Sequence, residues 1–385
     1  MQLLDNQGLA SVVEGNTIFA LDLYQQLKIK GSNVFFSPYS ISVALAMTYA
    51  GAGGSTAAQM AQTLHFDPDQ DQLHRALAAL EVRQNSVPQK GHVKLEIANS
   101  LWPQKKYDFL PEFLALTKKF YGVEITPVDY EHATEAARLM INEWVESKTE
   151  KKITNLIAPG ILDTLTRLVL VNAIYFKGDW ASQFDRQTTH DGVFWVTPGQ
   201  SAAVPMMNQT REMRYAKRDG VQVLELPYAG NDLSMIVLLP DQTAGLDELE
   251  AALTVERLEK WITNLWETEV TVFLPKFKMT SAFRLDEALK KLGMLDAFDM
   301  LKANFARMDG RPDWLYIFAV LHKAFVDVNE EGTEAAAATA VVMSKRGPSG
   351  PPVMFTADHP FVFLIRDNVT QSILFFGRVV NPVAE

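Results

Sequence analysis

The sequence predicts a single mixed α+β domain, and three observations carry that prediction. Helical patterns crowd the first half of the chain, while alternating or continuously apolar strand patterns dominate the second. Along the 385 residues no composition shift, polar linker or internal repeat marks a boundary, although that length could hold two or three domains. Hydrophobic residues make up 48% and charged residues 21%, the balance of a folded chain with a large core.

The elements follow from local pattern. In "NTIFALDLYQQL", Phe19, Leu23 and Leu27 recur at helical spacing, and Asn16 reads as the N-cap. Val34–Phe36 is a short buried strand. Ser37-Pro38 then opens an almost wholly apolar helix that stops at Gly51–Gly54, the pattern of a helix buried on every side. "TAAQMAQTL" and "DQDQLHRALAALEVRQ" continue as helices, and "HVKLEIANSLWPQ" alternates as a strand. "PEFLALTKKFYG" is a short helix. The longer one in "HATEAARLMINEWVESKTEKKI" carries Ala136, Met140 and Trp144 on one stripe. "TRLVLVNAIYFKGDW" is a strand covered on both faces. Val193–Leu239 alternates between Gly, Asp and Asn turns, as hairpins do. "TVFLPKFKMTSAF", "AFVDVNEEG", "MFTADHPFVFLIRD" and "SILFFGRVV" add further strands.

Composition excludes several functions. A formal net charge of -10, with basic residues spread out and clustered only in short pairs such as Lys105-Lys106, offers no cationic field for nucleic acid or an acidic membrane. The absence of cysteine removes disulfides, thiolate nucleophiles and Cys-based metal sites. The N-terminus lacks a basic start followed by an apolar run, so the expected location is cytoplasmic, or extracellular if a leader has been removed. "LSMIVLLP" is too short to span a bilayer. None of the seven histidines sits at metal-ligand spacing, and no nucleophile elbow is present. "GAGGST" follows a helix and lacks a Lys-Ser/Thr ending, so it reads as a helix stop rather than a phosphate loop. No catalytic residue is predicted.

The unusual stretch is "VDVNEEGTEAAAATAVVMSKRGPSGPPVMF", Val326 to Phe355. Read at period two, Thr333, Ala335, Ala337, Thr339 and Val341 share one face, and Glu334, Ala336, Ala338, Ala340 and Val342 the other. Small residues on both faces suit an extended segment sliding between strands without overpacking. Gly332 supplies a pivot before it. In "KRGPSGPP", Pro and Gly forbid regular structure and keep Lys345-Arg346 exposed, where proteases cut. From this segment alone, a surface linker or a frayed Ala-rich helix fits equally well.

The segment and its surroundings resemble the serpins over essentially the whole chain. "NVFFSPYSISVALAM" is similar to the family's first core strand and helix, and "INEWVESKTEKKI" to the helix crossing the main sheet. "VNAIYFKGDWASQFD" is similar to the strand-to-breach signature; "VDVNEEGTEAAAATA" with "HPFVFLIRDNVTQSILFFGRVVNP" resembles the hinge and C-terminal signature. The resemblance implies an α+β serpin fold, residues 1–385 in one domain, with three β-sheets, a five-stranded main sheet, eight or nine helices and an exposed reactive loop within 330–355. It implies no enzyme activity. It further implies that a target serine protease attacks the loop and that insertion of the cleaved loop into the main sheet traps the acyl-enzyme. The alternative is a non-inhibitory relative acting as carrier, chaperone or storage protein.

By the same resemblance, the hinge is Glu330, Glu331, Gly332, Thr333, Glu334, Ala335, Ala336, Ala337 and Ala338. Counting on from Glu330, the reactive bond is Arg346-Gly347, implying a trypsin-like target. Lys345 adds a dibasic-processing protease, and a cut after Met343 would redirect the loop to chymotrypsin- or elastase-like enzymes. Ser37, Ser40, Asn172 and His322 match the shutter beneath the strands that part. Trp180, Lys276 and Glu330 match the breach. No cofactor is implied. The helix after Asp69 is not basic, so no heparin site is expected, and the expected state is a monomer without nucleic-acid or membrane partners. "NQT" at Asn208 and "NVT" at Asn368 are sequons, relevant only in a secretory eukaryotic setting.

Overall fold

A computed structural model describes residues 6–106, 108–123, 125–311, 315–333 and 352–384. Its helices are α1 (Asn6–Leu27), α2 (Pro38–Tyr49), α3 (Gly54–Leu64), α4 (Gln70–Ser86), α5 (Pro111–Tyr121), α6 (Tyr130–Lys148), α7 (Leu246–Ala252), α8 (Val255–Thr263), α9 (Asp286–Lys291) and α10 (Ala306–Asp309). The strands are β1 (Val34–Phe36), β2 (Val93–Pro103), β3 (Leu168–Asp179), β4 (His190–Thr197), β5 (Gln200–Arg218), β6 (Val221–Pro227) and β7 (Leu233–Pro240). They continue with β8 (Trp266–Pro275), β9 (Phe277–Arg284), β10 (Ala319–Val328), β11 (Gly332–Thr333), β12 (Val353–Thr356), β13 (Phe361–Asp367) and β14 (Ile373–Val379). No helix among the described residues is long and apolar enough to cross a membrane.

The predicted α+β fold is present. The main sheet runs β2-β3-β11-β10-β9. The rest form one hydrogen-bonded array, β1-β14-β13-β7-β6-β5-β8-β12, with β4 beside β5. Two of the three expected sheets are continuous because β5, at 19 residues, outlasts one sheet and pairs with both β6 and β8. The described residues hold ten α-helices; the excess over eight or nine comes from short helices such as α9 and α10, of 6 and 4 residues.

Three local readings need correction. Asn16 is no N-cap: α1 begins ten residues earlier, and the buried Asn16 Nδ2 donates to the Ile373 carbonyl, a tertiary role. On α6 the buried stripe is Ala137, Ile141 and Val145. Met140 and Ala136 face outward, because the tightest-packing residues, not the bulkiest, face the sheet. "TVFLPKFKMTSAF" is not one strand. It turns at Lys276 from β8 in one sheet to β9 in the other.

Two cores result. The larger fills the space between the sheets and lies under α1 and α2, whose residues Pro38–Tyr49 are all buried. The smaller lies between α6 and the other face of the main sheet, joining Ile141 and Val145 to Val169, Val171, Ala173 and Tyr175. Alternate residues of β3 thus serve opposite cores, which explains its unbroken apolar run.

Candidate functional site

The central feature is the pairing of β3 with β10. They lie parallel from Ala319↔Val169 to Phe325↔Tyr175, and His322 sits opposite Asn172. Above this stretch β11 wedges between them, with Gly332↔Asp179 and Thr333↔Gly178 on one side and Thr333↔Val328 on the other. The main sheet is closed along its middle and already parted at its head by two residues.

The four predicted shutter residues meet under the closed part. Ser37 caps α2, its Oγ accepting from Ser40 N at 3.1 Å and donating to the Leu374 carbonyl at 2.6 Å. The Ser37 N–H donates to His322 Nε2 at 3.2 Å, so His322 carries its proton on Nδ1 and donates it to Asn172 Oδ1. Asn172 Nδ2 in turn donates to Ser40 Oγ and to Asn99 Oδ1. Burial holds His322 neutral, its pKa lowered to about 3. A second proton on Nε2 would confront the Ser37 N–H. Asn99 completes the cluster from β2 and was not foreseen; its only signal is a polar residue in an otherwise strand-like run, opposite Asn172 in register.

The breach residues also converge, about six residues up β3 or roughly 20 Å away. Lys276, at the corner between sheets, pairs with Glu330 at 2.8 Å, and Thr189 Oγ1 donates to the same carboxylate at 2.9 Å. Burial raises the pKa of Glu330, but the bonds from Lys276, its own backbone N–H and Thr189 outweigh it and hold the carboxyl below its usual range. Trp180 Nε1 donates to Asn329 O at 3.0 Å, and the backbone N–H groups of Trp180 and Phe184 donate to the carbonyls of Glu331 and Glu330. Arg186 pairs with Glu331.

Tyr228 was missed by sequence. Its ring stacks on Trp180, centroids 4.8 Å apart and 10° from parallel, and its hydroxyl shares a 2.9 Å hydrogen bond with Thr333 Oγ1. Thr333 is fully buried. The seat admits only glycine before it: a Cβ on Gly332 would stand 2.1 Å from the Gly178 carbonyl oxygen. Four predicted hinge residues, Glu330 to Thr333, are therefore anchored at the head of the sheet. Glu334, Ala335, Ala336, Ala337, Ala338, Arg346 and Gly347 lie outside the described residues.

This arrangement can be compared with known proteins. Residues 14–382 match the family described as Serpin (serine protease inhibitor). The chain is 45% identical over 379 residues to leukocyte elastase inhibitor A of Rattus norvegicus, covering 95% of this chain and 98% of that one. It is 43% identical over 390 residues to serpin B3 of Homo sapiens, covering 97% and 100%. Among solved structures, uncleaved ovalbumin superposes with a TM-score of 0.87 at 32% identity, covering 97% of this chain and 100% of that chain. With the parted sheet head, the buried polar cluster and a match across nearly its full length, the chain belongs to the serpin family of serine protease inhibitors and is not an enzyme.

Proposed function

We propose that the chain is a suicide-substrate inhibitor of trypsin-like serine proteases, cut after Arg346 and trapping the acyl-enzyme by loop insertion between β3 and β10. The observation that carries this reading is the two-residue β11, antiparallel to both neighbours. Continued in the same register, Glu334 falls beside Lys177 and each later residue one position lower, so Met343 reaches Leu168 at the start of β3. Thr339 then lands between Asn172 and His322, where it replaces their direct pairing. Because the Thr333 side chain faces Tyr228 and the larger core, Ala335, Ala337 and Thr339 follow it inward. Ala336, Ala338 and Ala340 pass beneath α6. The small side chains fit a slot that must open between packed layers.

Arg346 is our assignment for the scissile position because its guanidinium suits an acidic S1 pocket. The relative named for leukocyte elastase points instead to a pocket that Met343 would fill. Incubation with trypsin and elastase, read by denaturing gel and by the mass of the released peptide, separates the two. The expected result is an SDS-stable complex with trypsin and release of Gly347–Glu385. Arg346→Ala should lower the trypsin association rate about tenfold or more, the effect of losing a buried charge-assisted bond. Clean cleavage by every protease, with no stable complex, would overturn inhibition and leave a carrier or storage role.

A further inference from the structure

His359 stands three residues past the end of β12, the strand that follows the 334–351 segment and lies against β8 from Val353↔Val270 to Thr356↔Phe273. Its ring is buried, only 6% exposed. The Nδ1 lies 2.7 Å from Asp358 Oδ1, and the Nε2 lies 2.7 Å from the carbonyl oxygen of Pro240, the last residue of β7. A carboxylate oxygen and a backbone carbonyl oxygen only accept hydrogen bonds. A neutral imidazole has one N–H and one lone pair, so one of these contacts would set lone pair against lone pair in a buried site. Both are satisfied together only by a ring that carries both protons. His322 is the opposite case in the same molecule, because its Nε2 receives the Ser37 N–H and the ring holds one proton.

The residues after β12 are sewn to three strands in a row. The Ala357 N–H donates to the Phe273 carbonyl of β8 at 2.9 Å, the Trp195 N–H of β4 donates to the Asp358 carbonyl at 2.7 Å, and His359 closes the row on the end of β7. Few charged groups surround the ring. Asp358, partly exposed, comes from its own segment; beyond Pro240, Asp241 is paired with Lys217 of β5 at 2.9 Å. From β4, the exposed His190 stands edge-on to the Phe273 ring, and β13 opens with the apolar run Phe361–Ile365. We propose that His359 is a pH-sensitive clasp on β12: with both protons it fastens the exit of that strand to β7, and loss of one proton as pH rises through the range in which imidazoles titrate lets the exit loosen. The proton facing Asp358 is the better held, because its bond is charge-assisted on both sides, so the bond to Pro240 is the one lost. β11 and β12 hold the two ends of the 334–351 segment, so an uncut chain that takes this segment fully into the main sheet must first free β12. The clasp thereby sets how long the uncut protein stays inhibitory, a consequence that rests on the insertion proposed above; the protonation and the fastening do not.

The test uses the full chain. With nitrogen-15 in its histidines, the ring of His359, identified as the signal missing from His359→Gln, should show two N–H protons at pH 6 by magnetic resonance; a single N–H there would overturn the proposal. Hydrogen exchange read by mass spectrometry, corrected for the intrinsic pH dependence of exchange, then follows the peptide spanning β12 at pH 6 and pH 9. Protection of β12 relative to β14 should fall about tenfold or more in the wild type, the effect of losing one charge-assisted hydrogen bond. It should stay high at both pH values in His359→Arg, whose guanidinium keeps its donors throughout. In His359→Gln it should be low at both, because the amide oxygen faces one of the two acceptors. Equal protection of β12 at the two pH values in the wild type, or the same fall in His359→Arg, would overturn the clasp; where a variant folds poorly, the wild-type ratio decides alone. Inhibitory capacity of uncut protein held at 37 °C should decay faster at pH 9 than at pH 6. Exchange that behaves as expected without that difference in decay would count against the insertion reading and leave the clasp standing.

Discussion

Cleavage near Arg346 should raise the melting temperature, and the size of the rise follows from strand register. The intact main sheet joins β3 and β10 through seven register pairs. After a cut, the ten residues Glu334 to Met343 can enter between them, gaining a partner on each side along β3 from Lys177 to Leu168. At about one backbone bond per residue per interface, roughly twenty bonds form and about seven are lost. Thirteen bonds at about 1 kcal/mol each give on the order of 10 kcal/mol. Burial of the small side chains and ordering of the inserted backbone are each about 1–2 kcal/mol per residue and opposite in sign, so they largely cancel. A chain of 385 residues unfolds with an entropy near 0.8 kcal/mol/K, so the midpoint should rise by about 12 °C. Circular dichroism melts of intact and trypsin-nicked protein measure this directly. A nicked protein melting within about 2 °C of the intact one would refute insertion, since the bond count allows no such small value.

The remaining predictions concern the two polar clusters. Thr333→Arg places a charge at a fully buried site whose neighbouring carboxylate, Glu330, is already engaged by Lys276. An unpaired buried charge costs about 3–5 kcal/mol, so the variant side chain should stay out of the seat in the uncut protein, and carrying it back in ahead of the loop should slow insertion by roughly 10²–10⁴. Trypsin should then turn the variant over as a substrate, and a stable complex at wild-type stoichiometry would contradict this. For His322 the sign is that of a base whose folded pKa, about 3, lies below its ordinary value. Between those two values the unfolded chain binds a proton that the folded chain refuses, so stability falls as pH falls. From pH 7 to pH 5 the loss is about 2 kcal/mol, or 2–3 °C in midpoint. His322→Gln should flatten that part of the pH profile, and an unchanged slope would show that His322 is not held neutral.

How much of this was legible in the sequence differs by residue. Ser37, Ser40, Asn172 and His322 are dispersed over 286 positions, and the spacing of buried polar residues alone does not say that they meet; the family resemblance brought them together. Lys276 and Glu330 were paired in the same way. Asn99 and Tyr228 were invisible because their roles depend on register: Asn99 matters by lying opposite Asn172, and Tyr228 by lying opposite Trp180 and reaching Thr333. The stripe on α6 was misjudged by one position because Met140 and Trp144 looked like the core face. Ala137, Ile141 and Val145 pack the helix closer to the sheet instead. That the small-residue tract can run as an extended strand was legible in its pattern. Its destination was not, because the slot exists only in the pairing of two distant strands.

The uncut chain can rest in the open-headed state because its loop is anchored at both ends. β11 fixes the upper end of the loop at Thr333, and β12 fixes the other end at Val353, where it runs parallel to β8 with Phe355 fully buried. Entry down to Leu168 uses Glu334 to Met343, a depth of about 33 Å at the rise of an extended chain. Only Ser344 to Pro352 would then remain to climb back to β12, and the ten chain steps from Met343 to Val353 reach about 33–36 Å even fully stretched. That barely matches the depth and leaves nothing for the turn at the bottom of the slot or for the sideways distance between the sheets. Complete insertion therefore requires either that β12 be pulled from β8 or that the loop be cut between the two anchors. A bond broken at Arg346 satisfies the second condition, because Gly347 onward stays with β12 while everything before it is free to follow Thr333 into the sheet. On the proposed mechanism the protease supplies that cut itself, and an acyl-enzyme at Arg346 would be carried along the full depth of β3.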